Sequence, residues 1–331
     1  MKNILLIISI LSLAVSCTGK TQSQNKADIQ STTEGSNIIR FDTDLYNYIL
    51  NPTTEGQNSL TIKYPQLLPA LGQTAINMPL KNNEKEFFAS IVDYFDHPML
   101  LAIYKDAIDR FSDTELYDAQ KADIEQIANG QLSGKKLPQL AFHVSGFKEN
   151  AIVLENLISI STDKYMGTDY NSYQDFFSGY QLQQMQPKMV MRDYLRAWVS
   201  SDKLINEEMD KDLLAAMIAE GKILYALSVL LPRYSDRDII GYTDEQMEWA
   251  RQNEKSTWET MIKNSHLFSK ELTLIVRYTD ETAFADKTKV KLARWIGWQI
   301  VDKYAKNTKG SLSEILNTDA RTILKNSKYN P

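Results

Sequence analysis

The sequence predicts an α+β fold that is mostly helical: a single domain with a small central sheet and a helical C-terminal half. Two observations lead to this prediction. Alternating and β-branched apolar residues, which are typical of strands, fall in one region between residues 139 and 161. Apolar residues at helical spacing occupy much of the chain before this region and, from Lys188, almost all of the chain after it. A strand-bearing middle followed by helices is typical of the α+β class.

The first element is a short apolar segment. Lys2 precedes a predominantly apolar run from Ile4 to Val15, which is too short for a membrane-spanning helix of about 20 apolar residues. We therefore interpret residues 1–16 as a secretory signal peptide that is removed. Leu13-Ala14-Val15-Ser16-Cys17 resembles the lipobox of exported bacterial lipoproteins. The resemblance implies that Cys17 is the lipid attachment site, with palmitate as the expected acyl chain.

The next element is a polar tether. Residues 17–38 begin with the predicted lipidated cysteine, and from Thr18 to Asn37 Thr, Ser, Gln, Asn, Lys and Gly predominate. Such a composition buries almost nothing and predicts a flexible segment. The globular domain is therefore expected to cover residues 39–331.

Composition argues against several classes of function. Cys17 is the sole cysteine, so the mature domain has no disulfide framework, thiolate metal site or cysteine nucleophile. A net charge of −5 without a basic stripe argues against nucleic acid as a partner. No HExxH motif occurs, and His97, His143 and His266 have no local pair spacing, so we expect no metal and no cofactor. Convergence of these distant histidines in space stays open as an alternative.

The globular domain opens with Ile39 to Ile49. A helical stretch from Glu84 to Asn129 follows, and Pro98 interrupts it. Strands are then predicted from Gln139 to Phe147 and from Ala151 to Ser161.

Two helices in the second half carry candidate functional side chains. The first, near Lys188 to Ser200, places Arg192 and Arg196 one turn apart, and the second, from about Glu207 to Leu230, places Glu220 on or beside an apolar stripe. Burying a carboxylate alone costs several kcal/mol. If the two helices pack together, Arg192 and Arg196 are the expected clamp on Glu220; the alternative is that both are solvated surface arginines.

The remaining helices have clear boundaries. Pro232 ends the helix of Glu220, Gly241-Tyr242 forms a turn, and Thr243 with Gln246 resembles a capping box. We expect the helix after this box to bury five apolar residues, namely Met247, Ala250, Trp258, Met261 and Ile262. A final helical pair is expected from near Lys289, with Trp295 and Trp298 in the core.

Many short segments, in order and spacing, resemble the family of gliding motility lipoproteins called GldB. They include Arg40-Phe41-Asp42, Lys63-Tyr64-Pro65, Val144-Ser145-Gly146-Phe147, Asp163-Lys164-Tyr165-Met166-Gly167, Met217-Ile218-Ala219-Glu220-Gly221-Lys222-x-Leu224-Tyr225, Ile296-Gly297-Trp298 and Ser327-Lys328-Tyr329-Asn330-Pro331. The family-motif residues of interest are Asp163, Tyr165, Gly167, Gly221, Lys222, Tyr225 and Trp298. One departure is visible, because the Pro-Gly that the family places before its last tryptophan-rich helix is missing from Ala285 to Ala293.

The resemblance implies an envelope lipoprotein that is linked to gliding and, by association, to the secretion machinery of gliding bacteria. Its expected partners are the membrane, through the lipid anchor, and envelope proteins. The tether lacks the acidic run after Cys17 that marks surface-exported lipoproteins in some bacteria of the Bacteroidetes type. The periplasmic face of the outer membrane is therefore the expected location.

A weaker resemblance concerns zinc metalloproteases with an HExxH helix. Arg192-Asp193-Tyr194-Leu195-Arg196 aligns with that motif and Glu220 with the later glutamate ligand, but the arginines stay protonated and cannot bind zinc. This resemblance implies a degenerate zincin-like core with Arg192, Asp193, Arg196 and Glu220 as a pseudo-active-site cluster.

Two hypotheses about function follow. The first is a non-catalytic interaction protein, which predicts a closed arginine–glutamate site and an exposed apolar or acidic contact surface. The second is an envelope hydrolase of the peptidase kind, which acts through Asp193 and Glu220 or through a non-standard metal site and predicts an open cleft lined by these carboxylates.

Overall fold

The computed structural model describes residues 36–331 except 79, 81–82, 133, 202–203, 206–210 and 280–288. The predicted signal peptide, Cys17 and most of the tether lie outside the described residues. Ser31–Pro331 forms one compact unit, and Met1–Gln30, the other unit, lies outside the described part. The domain is mostly helical with a small sheet, as the sequence predicts, and one continuous apolar core runs from Ile38 to Ile323.

The helices before the sheet are α1 (Phe41–Leu50), α2 (Thr54–Lys63), α3 (Leu67–Ile76), α4 (Glu84–Phe95), α5 (Pro98–Arg110) and α6 (Glu115–Gln131). The helices after it are α7 (Gly179–Leu182), α8 (Val190–Ser200), α9 (Leu213–Leu230), α10 (Asp236–Ile240), α11 (Asp244–Lys263), α12 (Leu272–Thr279), α13 (Ala293–Thr308), α14 (Leu312–Asn317) and α15 (Ala320–Ser327). Short 3₁₀ turns lie at Thr162–Lys164, Asn171–Tyr173, Pro187–Met189 and His266–Phe268.

The sheet has the order β1–β3–β2, with β1 at Gln139–His143, β2 at Ala151–Val153 and β3 at Leu157–Ser161. β1 runs parallel to β3, with His143 opposite Ser161, and β2 runs antiparallel to β3. On its other side β1 is bridged by Ile39. The carboxyl ends of β1 and β3 therefore lie side by side.

The prediction of two long strands is wrong in two places. The segment from 151 to 161 forms two strands, because the chain turns where the Leu154 N–H donates to the Leu157 carbonyl. β1 ends at His143 rather than Phe147, since Gly146 and Phe147 take left-handed backbone angles, with φ of 70° and 67°, that cannot continue a strand.

The alternation along β1 does not separate the core from solvent. Leu140 and Phe142 on one side are fully buried, and so are Ala141 and His143 on the other. The pattern instead separates large apolar side chains from small or polar ones, because both faces of the strand are covered.

The helices α9 and α13 cross with their backbones in close contact. A Cβ added to Gly297 would overlap the Met217 carbonyl, and one added to Gly221 would overlap the carbonyl of Gly297. Both positions therefore need glycine for the approach of the two backbones. α9 is long and apolar enough to cross a membrane, but 67% of it is buried inside the protein, as in a core helix.

Several sequence predictions about the helices are confirmed. Pro98 stands at the first position of α5, and Thr243 with Gln246 forms a capping box at the start of α11. Gly241 ends α10 in a left-handed conformation with φ of 81°.

Other predictions about the helices are corrected. Among the described residues α9 starts at Leu213, because the Asp212 side chain caps it by accepting from the Ala215 N–H; Glu207, the expected start, lies outside the described residues. Ile262 is 54% exposed instead of buried. We expected a final pair of helices from near Lys289. The structure has three helices there, α13 to α15, and the first of them begins at Ala293.

Candidate functional site: a charge network beside a polar groove

Glu220 on α9 is held by two arginines from neighbouring helices. Arg196 Nη2 on α8 lies 2.9 Å from Glu220 Oε1 and 2.8 Å from Oε2. Arg294 Nε on α13 lies 3.3 Å from Oε2. Burial acts to raise the pKa of Glu220, but the charges of Arg196 and Arg294 outweigh it and lower this pKa. Glu220 is therefore held in its ionised form.

Arg192 belongs to a second set of contacts. This side chain is buried, its Nε donates to Asp193 Oδ1 at 2.8 Å, and its Nη1 donates to Gln184 Oε1 at 2.5 Å and to the Asp238 carbonyl at 3.1 Å. Asp193 Oδ2 accepts from the Tyr165 hydroxyl at 2.7 Å. Asp193 is thus paired on both carboxylate oxygens.

The expected two-arginine clamp from α8 is half correct. Arg196 contacts Glu220, but Arg192 does not. The turn of α8 that contains Arg192 lies against the C-terminal end of α10 instead of against α9. Arg294 takes the second position at Glu220. Sequence reasoning missed Arg294, since no local spacing relates it to Glu220 and only the packing of α13 on α9 brings it there.

The C-terminal turn of α10 connects the two sets of contacts. The Asp238 carbonyl accepts from Arg192. The Ile240 carbonyl accepts from Arg294 Nη2 at 3.2 Å, and the Gly241 carbonyl accepts from Gln184 Nε2 at 2.8 Å. These donors satisfy carbonyl groups that a helix end leaves without partners, and the cations lie where the helix dipole favours them. The result is a continuous network that joins Tyr165 to Glu220 through α8, α10 and α13.

A third carboxylate, Asp163, lies at the carboxyl ends of β1 and β3. It is fully buried and accepts from Ser161 Oγ at 2.5 Å, from the Phe147 N–H at 2.7 Å and from the Ser145 N–H at 3.4 Å. Burial raises the pKa of Asp163, although the hydrogen bonds from Ser161 and Phe147 act in the opposite direction. The left-handed turn at Gly146 and Phe147 is what aims the backbone N–H groups at this carboxylate.

Sequence reasoning did not bring together Ser145 and Ser161, whose hydroxyl groups lie 2.8 Å apart. A signal was present, since Ser145 follows β1 and Ser161 ends β3, and the carboxyl ends of parallel strands meet at one edge of a sheet. The parallel pairing itself was not visible in the sequence. Two family-motif segments, 144–147 and 163–167, therefore converge at this edge.

The histidines have structural environments. His143 is fully buried, its Nδ1 lies 2.8 Å from Ser159 Oγ, and burial lowers the pKa of its imidazole to about 3. His266 Nδ1 lies 2.8 Å from the Tyr278 hydroxyl. Within the described ranges, no group of three or more His, Cys, Asp or Glu side chains has the arrangement of a metal site.

The other family-motif residues contribute to packing and chain geometry. Gly167 has a φ of 113°, and its N–H donates to the Met185 carbonyl. Lys222 is 1% exposed on α9, and Tyr225 lies partly buried beside it. Trp298 packs edge-on against Trp295 on α13, with ring centroids 6.2 Å apart.

A polar groove adjoins the network. Its volume is about 380 Å³, and it lies between the segment 179–189 and the start of α11. The residues that face it include Gln184, Gln186, Arg237, Asp238, Tyr242 and Glu245. Gln184 and Asp238 also contact Arg192, so the groove has one wall in common with the network.

The geometry limits what chemistry these carboxylates can perform. A general acid or base must exchange a proton with a substrate within hydrogen-bond reach. Glu220 is held between two guanidinium groups, and Asp193 is shared by Arg192 and Tyr165. The arrangement is suited to joining helices, and the groove offers amides and carboxylates as hydrogen-bonding groups to a bound molecule.

A protein-family model described as gliding motility protein GldB matches residues 22–331, nearly the whole chain. No curated protein and no solved structure shows significant similarity to the chain.

Proposed function

The chain belongs to the GldB family of gliding motility lipoproteins, and from this premise we propose that it acts in the cell envelope as a lipid-anchored, non-catalytic interaction protein. In this proposal Cys17 carries the lipid and holds the domain at the periplasmic face of the outer membrane. The partner is a protein of the gliding or secretion machinery.

The closed state of the charge network supports the absence of catalysis. The hydrolase hypothesis needs Asp193 or Glu220 to be available to a substrate, yet both carboxylates are occupied by arginine and tyrosine donors. A carboxylate whose pKa is lowered by two arginines is a poor general acid near neutral pH. We therefore interpret these residues as the internal connection that orients α8, α9, α10 and α13.

The polar groove is the contact surface that we favour. Asp238, Asp244 and Glu245 face it together with Arg237, so carboxylates outnumber cations in its lining, although Arg237 pairs with Asp244 and Lys188 pairs with Asp238. Glutamine amides add donors and acceptors that suit the backbone of a peptide. An extended, basic segment of a partner protein is the ligand that this lining would complement.

A substitution at Glu220 separates the two hypotheses. Replacing it in the variant Glu220→Gln is expected to lower stability and to leave partner binding intact at a temperature where the variant is folded. In an envelope hydrolase the same variant would retain binding and lose turnover. Peptidase activity in the purified wild-type chain that disappears in Glu220→Gln would contradict our proposal.

Metal analysis provides an independent test. We expect purified protein to contain no stoichiometric zinc and its melting temperature to be unchanged by zinc or by a chelator. Stoichiometric zinc, or a lower melting temperature after chelation, would favour the metal-dependent hydrolase.

Photo-crosslinking in cells tests the groove directly. A photoreactive amino acid at Gln183, which is exposed at the groove, is expected to form a specific protein adduct. The matched control places the same amino acid at Glu259, which is exposed on α11 away from the groove lining. Identical adducts at both positions, or none at Gln183, would contradict the groove as the contact surface.

A further inference from the structure

His143 is the last residue of β1, and its side chain is fully buried. Its Nδ1 lies 2.8 Å from Ser159 Oγ on β3. Its Nε2 is buried as well and, among the residues that the structure describes, has no hydrogen-bond partner. A neutral imidazole fits this site because one ring nitrogen then carries no proton. An imidazolium has an N–H on both nitrogens, so it would bury a charge and leave one donor without an acceptor.

The groups around His143 are not placed to balance a positive charge. α1 packs on β1, and α8 packs on β3. The carboxylates of these helices and of the turn after β3 have other partners: Asp42 pairs with Arg40, Asp44 with Lys63, Asp193 with Arg192, and Asp163 accepts from Ser161 and two backbone N–H groups. The remaining titratable side chains on these elements and the adjoining turns are Tyr46, Tyr48, Lys148, Glu149, Lys164, Tyr194 and Arg196. Within the described part of the chain, none of these groups forms a hydrogen bond or an ion pair with His143.

His143 occupies the point where the two family-motif segments 144–147 and 163–167 meet the sheet. Its carbonyl accepts from Thr162 Oγ1 at 3.2 Å, and Ser161 lies opposite it in the register of β1 and β3. The turn that binds Asp163 begins at the next residue, Val144. A charge at His143 therefore acts on the junction that holds both segments.

The turn after His143 is closed at a conformational cost. Phe147 has a φ of 67°, a left-handed angle that is unfavourable for an aromatic residue. The bonds that Asp163 accepts from the Phe147 and Ser145 N–H groups offset this cost. Release of the turn relieves the strain and gives water a path to Nε2, so this part of the edge is expected to open before the rest of the domain.

We propose that His143 is an acid-sensitive switch, whose protonation opens the turn at residues 144–149 away from Asp163 while the rest of the domain stays folded. The inference goes beyond the binding role of the groove and does not depend on it. Phe147 packs against Tyr173, Phe176 and Phe177, and Phe176 is 47% exposed. Opening of the turn would therefore change the surface that these aromatic side chains present.

The direction of the effect follows from where the proton binds. Burial lowers the pKa of His143 to about 3 in the closed state, and an open turn returns it to the ordinary value near 6.5. The closed state is thus favoured above pH 6.5 and loses stability relative to the open state as the pH falls towards 3. Asp163 acts in the opposite direction, because burial raises its pKa. A comparison with a variant that lacks only His143 separates the two effects.

Hydrogen exchange of the purified chain, followed by mass spectrometry at pH 7.5 and pH 5, tests the switch. The reporting amides belong to Ser145, Phe147, Lys148 and Glu149, which donate to Asp163 or to Ser145 Oγ. After correction for the chemical exchange rate at each pH, opening should increase about thirtyfold more in the wild type than in His143→Gln. The Gln side chain keeps an amide that can bond to Ser159 and does not titrate. His266→Gln is the matched control and should behave as the wild type, because His266 contacts Tyr278 outside the sheet.

Two exchange results would overturn the proposal. The first is an equal dependence on pH in the wild type and in His143→Gln. The second is exchange of the turn at pH 5 that is as slow as that of the slowest amides of α9, because His143 would then gain its proton only when the whole domain unfolds.

A second measurement keeps the native side chain at position 143. In a chain with His97→Gln and His266→Gln, His143 is the one remaining histidine. The proton NMR signals of its ring should stay those of a neutral imidazole from pH 7.5 to pH 5 in the folded state. Titration of these signals near pH 6.5 in the folded chain would overturn the proposal.

Discussion

Glu220 and Asp163 are both carboxylates with reduced access to water, and their surroundings shift their pKa values in opposite directions. Arg196 and Arg294 surround Glu220 with positive charge, and the pKa of Glu220 is lowered although burial acts against this. Asp163 is held by a hydroxyl group and two backbone N–H groups, and burial outweighs these donors and raises its pKa.

The difference reflects what each carboxylate joins. Glu220 connects α8, α9 and α13, which are distant in sequence, and long arginine side chains can reach across such gaps. Asp163 joins the ends of two adjacent parallel strands, where the backbone itself can supply donors. Arginine charges therefore hold the carboxylate that lies between helices, and local backbone geometry holds the carboxylate at the sheet edge.

The largest expected effect comes from breaking the helix crossing that brings Arg294 to Glu220. In Gly297→Ala the added Cβ would overlap the Met217 carbonyl, so α9 and α13 must separate. We expect a loss of at least about 3 kcal/mol in the free energy of unfolding, measured by urea denaturation.

Gly130→Ala is the matched control for this substitution, because Gly130 lies in α6 with no atom near its added Cβ. It should gain up to about 1 kcal/mol from helix propensity. Equal effects of the two changes would show that the crossing is not close in solution.

The second-largest loss of stability is expected at Asp163, the carboxylate that is held by hydrogen bonds. Asp163→Asn keeps the size of the side chain, but its amide nitrogen cannot accept, so at least one of the donors from Ser161, Ser145 and Phe147 is left buried without a partner. We expect a loss of about 2–3 kcal/mol by urea denaturation. A loss below that of Glu220→Gln would contradict the assignment of Asp163 as the more tightly constrained carboxylate.

Glu220→Gln should have a smaller effect of about 1–2 kcal/mol. The substitution leaves two arginines facing a neutral amide, but Glu220 and Arg196 are each nearly 30% exposed, so solvent screens part of the loss. Thermal and urea unfolding measure it. A double-mutant cycle with Arg196→Gln should show coupling between the two residues, and a parallel cycle of Glu220→Gln with Arg192→Gln should show much weaker coupling.

The smallest effect is a difference in pH dependence. The pKa of Glu220 is lowered by folding, so its contribution to stability is present above the unfolded value near 4.5 and is lost as the pH falls. The pKa of Asp163 is raised, so its contribution is largest below the unfolded value near 3.8 and declines as the pH rises through the folded pKa.

The two variants should therefore respond to acid in opposite directions. Between pH 7 and pH 4 the cost of Glu220→Gln, relative to the wild type, should shrink, and the cost of Asp163→Asn should grow, each by about 1 kcal/mol or less. Urea unfolding at several pH values measures both changes. Parallel pH profiles would show that one mechanism holds both carboxylates.

Much of the fold was predictable because its signals are local. The proline at the start of α5 and the capping box of Thr243 and Gln246 depend on residues within one turn of each other. The contact between Arg196 and Glu220 was also accessible, since each residue stands near the apolar stripe of its own helix and a partly buried carboxylate needs a cation.

The errors share a different cause. Ile262 has the spacing of a core residue, yet it is 54% exposed, while its neighbour Met261 is fully buried. Arg192 has the same local spacing as Arg196, but α10 instead of α9 lies against it. Helical periodicity defines a face of one helix and contains no information about which neighbour covers each turn of that face.

The sequence by itself determined the α+β class, the starts of α5 and α11 and the family, and it predicts the lipid anchor at Cys17, because these depend on composition and on residues that are close along the chain. Tertiary structure alone decided that Arg294 joins Glu220 and that Ser145 and Ser161 meet at Asp163. These contacts arise from the crossing of helices and the parallel pairing of strands, and both bring together residues whose separation along the chain leaves no local pattern.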